Sequence, residues 1–361
     1  MTDGDFDAGA LEAYLARECD IAGSETTVLH DGLNLSVALS TPETDCAYVL
    51  RRPNKFREMD SFNDVSTEHA ILERLHETSI PSPEAVACCT DESVLGDPFL
   101  VTTYLAGESV PLGADLPERF RTPAARARFA ASVVETMATL HTVDADRFAD
   151  VCDRRPLGAQ VETIVSQFED ALAATGHEHA QLRRVADWLR ANAPTDATTA
   201  LVHGDYRPAN LLVSDDRPEI AGVLDWETAF LGDPLVELGY LLLRFRDADD
   251  PSLPVDELAS RYADSEAIAD VQAIDERGLA PYTSDPGSPT RAELVSQYEA
   301  DTGYRFENER FYRAFAAFIL AAVWEDLERT ALQAGGEAAR GPYIDYLGLL
   351  ATAIVDGDFE L

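Results

Sequence analysis

Between Leu201 and Trp226 the chain reads LVHGDYRPANLLV, then a short turn rich in Asp and Pro, then EIAGVLDW. This stretch restricts the possible folds more than any other. The runs Ala200 to Val202, Leu211 to Val213 and Ile220 to Leu224 are short, apolar and bounded by Asp, Pro and Gly, so they read as strands. His203, Asp205 and Asn210 would then sit in a loop between two strands, with Asp225 at the end of a third.

An Asp and an Asn in one loop ordinarily form Asx turns. The wider pattern points to chemistry. A His-x-Asp with an Asn five residues after the Asp, followed by a second Asp on a later strand, is the layout phosphoryl transfer needs: one carboxylate to position an acceptor hydroxyl, two oxygen donors to hold magnesium against phosphates. Asp205, Asn210 and Asp225 have that spacing and placement.

His-Gly-Asp-x-x-x-x-Asn-Leu-Leu, Val-Leu-Asp-Trp-Glu and Gly232-Asp233-Pro234 leading into a Leu-rich helix resemble the aminoglycoside phosphotransferase-like kinases. The likeness is closest to the branch related to acyl-CoA dehydrogenase-associated kinase domains. It implies an α+β, bilobal protein-kinase-like fold, with a small antiparallel-sheet lobe over residues 1–105 and a larger, mainly helical lobe over 106–361. It also implies ATP and Mg2+ as cofactors, Asp205 as the catalytic carboxylate, and Asn210 and Asp225 as metal ligands. A hydroxylated small molecule would be the phosphate acceptor.

The rest of the chain can be placed around that expectation. Phe6, Leu11, Tyr14 and Leu15 fall near helical spacing. Apolar residues from Thr27 to Ser40 flank a turn at Asp31 to Asn34, where Gly32 and Asn34 would approach the nucleotide phosphates. Gly32 is the single glycine there, and the loop is one residue shorter than the Gly-x-Ser-Asn-Leu pattern of the family. Kinases carry a phosphate-binding lysine on the following strand; aligning Tyr48-Val49-Leu50-Arg51 with Val-Ala-Ile-Lys puts Arg51 in its place, Arg52 being the alternative. Glu68, on a helix between Phe62 and Thr78, would be its partner. Ala85 to Cys89 and Pro98 to Tyr104 read as strands, and Tyr104 and Leu105 lie where a connector would meet the adenine through backbone groups.

Helices are expected over Pro123 to Val143, Val161 to Ala174, His179 to Asn192, Leu258 to Ile274, Arg291 to Thr302, Glu307 to Ala334 and Pro342 to Val355. His141 reads as a capping or packing residue, His203 as a prop of the loop, and Asp233 as a helix cap that would also support the loop from below. Phe311, Phe315, Phe318, Ile319 and Trp324 read as a core stripe. The acidic stretch from Arg244 to Thr290, punctuated by Pro and Gly, reads as an insertion beside the acceptor site.

Composition narrows the partners. Asp+Glu number 66 against 28 Lys+Arg, a formal charge of -38, and Lys55 is the sole lysine. Such a surface repels nucleic acid and anionic membranes, which need a basic footprint. It fits either a salt-rich cytoplasm, where screening shortens to ~3 Å at 1 M, or a cationic substrate. Cys19, Cys46, Cys88, Cys89 and Cys152 show no metal or disulfide spacing, and the chain start lacks the pattern of a signal peptide, so a soluble cytoplasmic protein is expected. Two alternatives remain: a nucleotide-binding pseudokinase, and a protein kinase. The second is disfavoured because a Gly-x-Gly-x-x-Gly loop and an Ala-Pro-Glu element are missing.

Overall fold

The architecture follows from period-2 apolar patterning before residue 105 and mostly 3.6-period patterning after it. The computed structural model describes residues 7–361 apart from 24, 33, 43, 54–61 and 264, together with the side chains of 45 and 46. Phe6 of the first helix, Leu33 of the turn, Lys55 and the Cys46 side chain lie outside the described residues.

Strands β1 (Glu25–Asp31), β2 (Asn34–Thr41), β3 (Thr44–Pro53), β4 (Ala85–Cys89) and β5 (Phe99–Thr103) form one antiparallel sheet in the order β1-β2-β3-β5-β4. Alternation assigns its faces. Leu50, Phe99 and Val101 pack with Leu11 and Leu15 of helix α1 (Ala8–Glu18), whereas Leu100 turns to the opposite side and joins Ile71 and Leu72 of helix α2 (Val65–Leu75). Asp7 caps α1 by accepting from the Ala10 N–H at 3.0 Å, and Asp64 caps α2 by accepting from the Thr67 N–H at 2.7 Å. A single turn, α3 (Glu92–Leu95), precedes β5.

The remainder is helical around two small ladders. Helix α4 (Pro123–Thr142) buries Phe129, Val133, Met137 and Leu140 on one face, as their spacing requires. Helices α5 (Leu157–Thr175) and α6 (Ala180–Asn192) follow. Strands β6 (Ala200–Val202), β7 (Leu211–Val213) and β8 (Ile220–Val223) lie where expected, but β6 and β7 do not pair with each other. β7 pairs with β8, and β6 pairs with β9 (Phe230–Gly232), a strand of three residues that the sequence did not disclose. Helix α7 (Pro234–Leu242) starts at Asp233, which accepts from the Leu235 N–H at 3.0 Å.

The single helix expected over 258–274 is two, α8 (Val255–Arg261) and α9 (Ala267–Arg277). Helices α10 (Arg291–Thr302), α11 (Glu309–Gln333) and α12 (Gly341–Asp356) complete the chain. The stripe on α11 is core: Phe311, Phe315 and Phe318 are fully buried. Truncating any one of them to Ala would cost about 3 to 5 kcal/mol. Cys19, Cys88, Cys89 and Cys152 are free thiols, and no described helix is long and apolar enough to cross a membrane.

Candidate active site

The loop between β6 and β7 is fixed by its backbone before its side chains act. Gly204 has φ +85°, and a Cβ there would lie 2.4 Å from the Thr228 carbonyl oxygen, so only glycine fits. The buried carboxylate of Glu237 accepts from the Gly204 N–H at 2.8 Å and from the His203 N–H at 3.4 Å. Glu237 is bonded on its other side to His141 Nε2 at 2.9 Å, and His141 Nδ1 reaches the Tyr298 hydroxyl at 2.7 Å. His141 and His203 are therefore buried props, as their sequence contexts suggest. The support expected from Asp233 comes instead from Glu237, one turn further along α7; Asp233 accepts from the Tyr312 hydroxyl at 2.7 Å.

That backbone presents Asp205 with its side chain 29 % exposed. Arg207 Nε donates to Asp205 Oδ1 and Oδ2 at 3.0 and 2.8 Å, the Tyr240 hydroxyl donates to Oδ1 at 3.2 Å, and Asn210 Nδ2 donates to Oδ2 at 2.8 Å. Asn210 Nδ2 also donates to the Asp205 carbonyl at 2.9 Å, which turns its amide nitrogen inward and leaves Oδ1 as the end available to a cation. The Asn210 carbonyl accepts from the Leu224 N–H at 2.9 Å, so this one residue fixes Asp205 on one side and the approach to Asp225 on the other. Burial opposes the charge on Arg207, but Asp205 outweighs it and holds its pKa above the usual arginine value.

Asp225 has a left-handed backbone, φ +65° and ψ +58°, unusual for a residue other than glycine and of a kind that clusters at functional sites. The reversal places its carboxylate against β3: Asp225 Oδ1 is 3.0 Å from Arg51. Arg51 also meets Glu68 Oε1 at 2.5 Å and Glu227 Oε2 at 3.3 Å. Burial opposes the guanidinium charge, yet Glu68, Asp225 and Glu227 together hold its pKa above the ordinary arginine value. The pleat puts Arg51 and Arg52 on opposite faces of β3. Arg52 follows Leu50 to the other face, where it donates to the Leu95 carbonyl at 2.8 Å.

Asn34 joins this cluster, its Nδ2 donating to Glu227 Oε2 at 2.8 Å. Gly32 lies at the β1–β2 turn, where the His30 imidazole occupies the space a side chain would need. In the connector, the Tyr104 N–H donates to the Ala47 carbonyl at 2.9 Å, and the Leu105 side chain packs over Gly222. The insertion touches this region as well: Leu279 accepts from the Gly113 N–H at 3.3 Å.

Sequence reasoning missed Arg207, Glu227, Glu237 and Tyr240. Glu227 stands in the quoted Asp-Trp-Glu, but nothing in that tripeptide reveals that the left-handed Asp225 carries it back to β2 and β3. Glu237 looked like an ordinary acid in the first turn of a helix. The oxygen donors of Asn210 and Asp225 suit a hard cation such as magnesium.

A five-stranded antiparallel sheet set on a helical body, with this loop between them, defines a protein-kinase-like α+β fold. The profile of the phosphotransferase enzyme family matches residues 25–274, and the chain belongs to that family. Acyl-CoA dehydrogenase family member 10 of Mus musculus is 26 % identical over 341 residues, covering 91 % of this chain and 29 % of that protein. Acyl-CoA dehydrogenase family member 11 of Homo sapiens is 27 % identical over 335 residues, covering 88 % and 38 % respectively. The chain thus spans roughly a third of the length of these relatives. A solved Ralstonia eutropha protein, provisionally described as an aminoglycoside phosphotransferase, superposes with a TM-score of 0.72 at 23 % identity, covering 99 % of this chain and 100 % of that one. Aminoglycoside phosphotransferases of the same fold have been solved with GDP or ADP bound.

Proposed function

We propose that this protein transfers the γ-phosphate of a nucleoside triphosphate to a hydroxyl group of a small molecule. The observation that carries the reading is the connection through Asn210, whose side chain bonds Asp205 and whose carbonyl accepts from the residue before Asp225. Asp205 receives the acceptor hydroxyl. Three donors already hold its carboxylate in place, so its main work is to align the hydroxyl oxygen with the phosphorus and to take the proton late, which suits a loose transition state. Arg51, braced by Glu68 and Glu227, supplies positive charge to the nucleotide phosphates, with Gly32 and Asn34 at the turn above and Tyr104 and Leu105 along the base. Asn210 and Asp225 would hold magnesium, which when bound neutralises charge on the phosphates.

ATP is the donor we expect, with GTP as the competing one. The acceptor belongs among hydroxylated metabolites such as amino alcohols, sugars and hydroxyacyl thioesters. Arg207 beside Asp205 gives the acceptor side a cation, which sets it apart from a purely acidic pocket for a polycation. The acid spread over the rest of the chain is then an adaptation to a salt-rich cytoplasm.

The deciding experiment measures magnesium-dependent ADP release in molar potassium chloride while hydroxylated metabolites are screened. It is paired with magnesium-nucleotide affinity for the protein and for Asp225→Ala. Acceptor-stimulated release, with affinity weakened in the variant, supports the reading. Tight nucleotide binding without release under any acceptor would make the chain a pseudokinase, and unchanged affinity in Asp225→Ala would remove the metal assignment.

A further inference from the structure

Away from the loop of Asp205, α5 ends at Gly176 and the chain reads His177-Glu178-His179 before α6 begins. The two histidines converge on Glu325, in the middle of α11 and fully buried. His177 Nδ1 lies 2.9 Å from Glu325 Oε1 and 3.2 Å from Oε2, and His179 Nε2 lies 3.3 Å from Oε2. The only other group bonded to this carboxylate among the described residues is the Thr175 hydroxyl, at 2.5 Å. No arginine reaches it within ion-pair distance among the described residues, although the chain carries many.

We propose that His177, His179 and Glu325 form a binding site for a divalent transition ion of the zinc class, with Asp345 as the positioning residue that orients His179. The three ligand atoms lie within 4.8 Å of one another. Bonds of about 2.0 to 2.2 Å at tetrahedral angles place ligand atoms about 3.3 to 3.5 Å apart. Through Glu325 Oε2 the two contacts, at 3.2 and 3.3 Å, come close to that spacing, and His177, whose side chain is 29 % exposed, has room to swing the remaining distance.

The surroundings are those of a built site. His179 Nδ1 faces Asp345 Oδ1 at 2.7 Å, which fixes the ring so that Nε2 points at Glu325, the carboxylate-histidine arrangement that orients metal-bound imidazoles. Asp345 is held in turn by Arg261 at 2.5 Å and by the Tyr262 hydroxyl at 2.9 Å. Phe168 packs against the His179 ring and supplies the apolar wall. Two imidazoles and one carboxylate select zinc, cobalt or nickel over magnesium, so the site is distinct in chemistry from Asn210 and Asp225. The exposed side of His177 leaves a coordination position open to water. An ion there would tie the α5–α6 connection to α11 and, through His179 and Asp345, to α12. Binding would expel protons from the coordinating nitrogens, so affinity falls as pH is lowered.

The test titrates cobalt(II) into the full chain, stripped of metal by chelator and held in excess magnesium, and reads the visible absorption of cobalt together with the melting temperature. We expect one equivalent of cobalt with intense low-coordinate bands, displacement by zinc, and a rise in melting temperature on zinc addition. His177→Ala, at a partly exposed position that should not disturb folding, should weaken binding at least tenfold and abolish the melting shift. Asp345→Asn should weaken it by about 10- to 100-fold. Asp225→Ala should bind as the parent does. Absence of the cobalt bands in the parent, or binding that survives His177→Ala undiminished, overturns the site.

Discussion

Arg51 and Asp225 are in direct contact at 3.0 Å, joining β3 to the end of β8 across the cleft where a nucleotide would lie. The residue proposed for the phosphates is thus in contact with the one proposed for the metal. Arg51 keeps Glu68 and Glu227 as further partners, so it has one contact to give up and two that hold it in place.

That arrangement sets the expected behaviour of the ion pair with Glu68. Arg51→Ala takes the guanidinium away from the buried Glu68 carboxylate and should cost about 3 to 5 kcal/mol of stability, measured by denaturant unfolding, along with nucleotide affinity. Arg51→Lys should recover part of both, because an ammonium restores charge without the planar fork. Glu68→Ala should matter less in the Arg51→Ala background than alone. Simple additivity, or a larger loss of nucleotide affinity in Arg52→Ala, would contradict the strand register described.

Asp205→Asn should lower turnover by on the order of 10² to 10⁴ with nucleotide affinity retained. Near-normal turnover would sink the assignment. Tyr240→Phe removes one of three donors to the same carboxylate and should leave most of the activity, since Arg207 and Asn210 still hold it.

Glu237 is expected to act through the loop backbone. Glu237→Ala removes the acceptor of the Gly204 N–H and the partner of the buried His141, and should cost about 1 to 3 kcal/mol or more in unfolding experiments. Turnover should fall more than nucleotide affinity, because the acceptor side is what shifts. Asp233→Asn, which keeps a cap on α7, should be milder; the reverse order would return the supporting role to Asp233.

With a formal charge of -38 spread along the chain, melting temperature should climb steeply with potassium chloride towards molar concentration, through screening of like charges. A flat salt response would favour the view that the acid serves a cationic substrate.

The sheet was legible because alternation is local, but which of Arg51 and Arg52 turns towards Glu68 depends on which face α1 and α2 cover, and that is not local. The loop was legible because Asp205, Asn210 and Asp225 are close in sequence and flanked by recognisable strands. What escaped depends on distant returns of the chain. β9 is three residues long and gains its identity only by pairing with β6, about thirty residues earlier. Glu227 acquires its partners through a backbone reversal at Asp225 that no propensity announces. The helix expected over 258–274 carries continuous periodicity on paper, yet it is broken in two.

The cluster around Arg51 also governs how a ligand arrives. One guanidinium faces Glu68, Asp225 and Glu227, of which Asp225 is the one open to the cleft. A bare triphosphate approaching it is repelled by the field of the whole molecule, whose formal charge is -38. Its magnesium complex carries less charge and brings the cation that Asp225 can accept in exchange for Arg51. The association rate of free nucleotide should therefore rise with ionic strength, the opposite of the steering seen in basic clefts, and the complex should enter faster than free nucleotide.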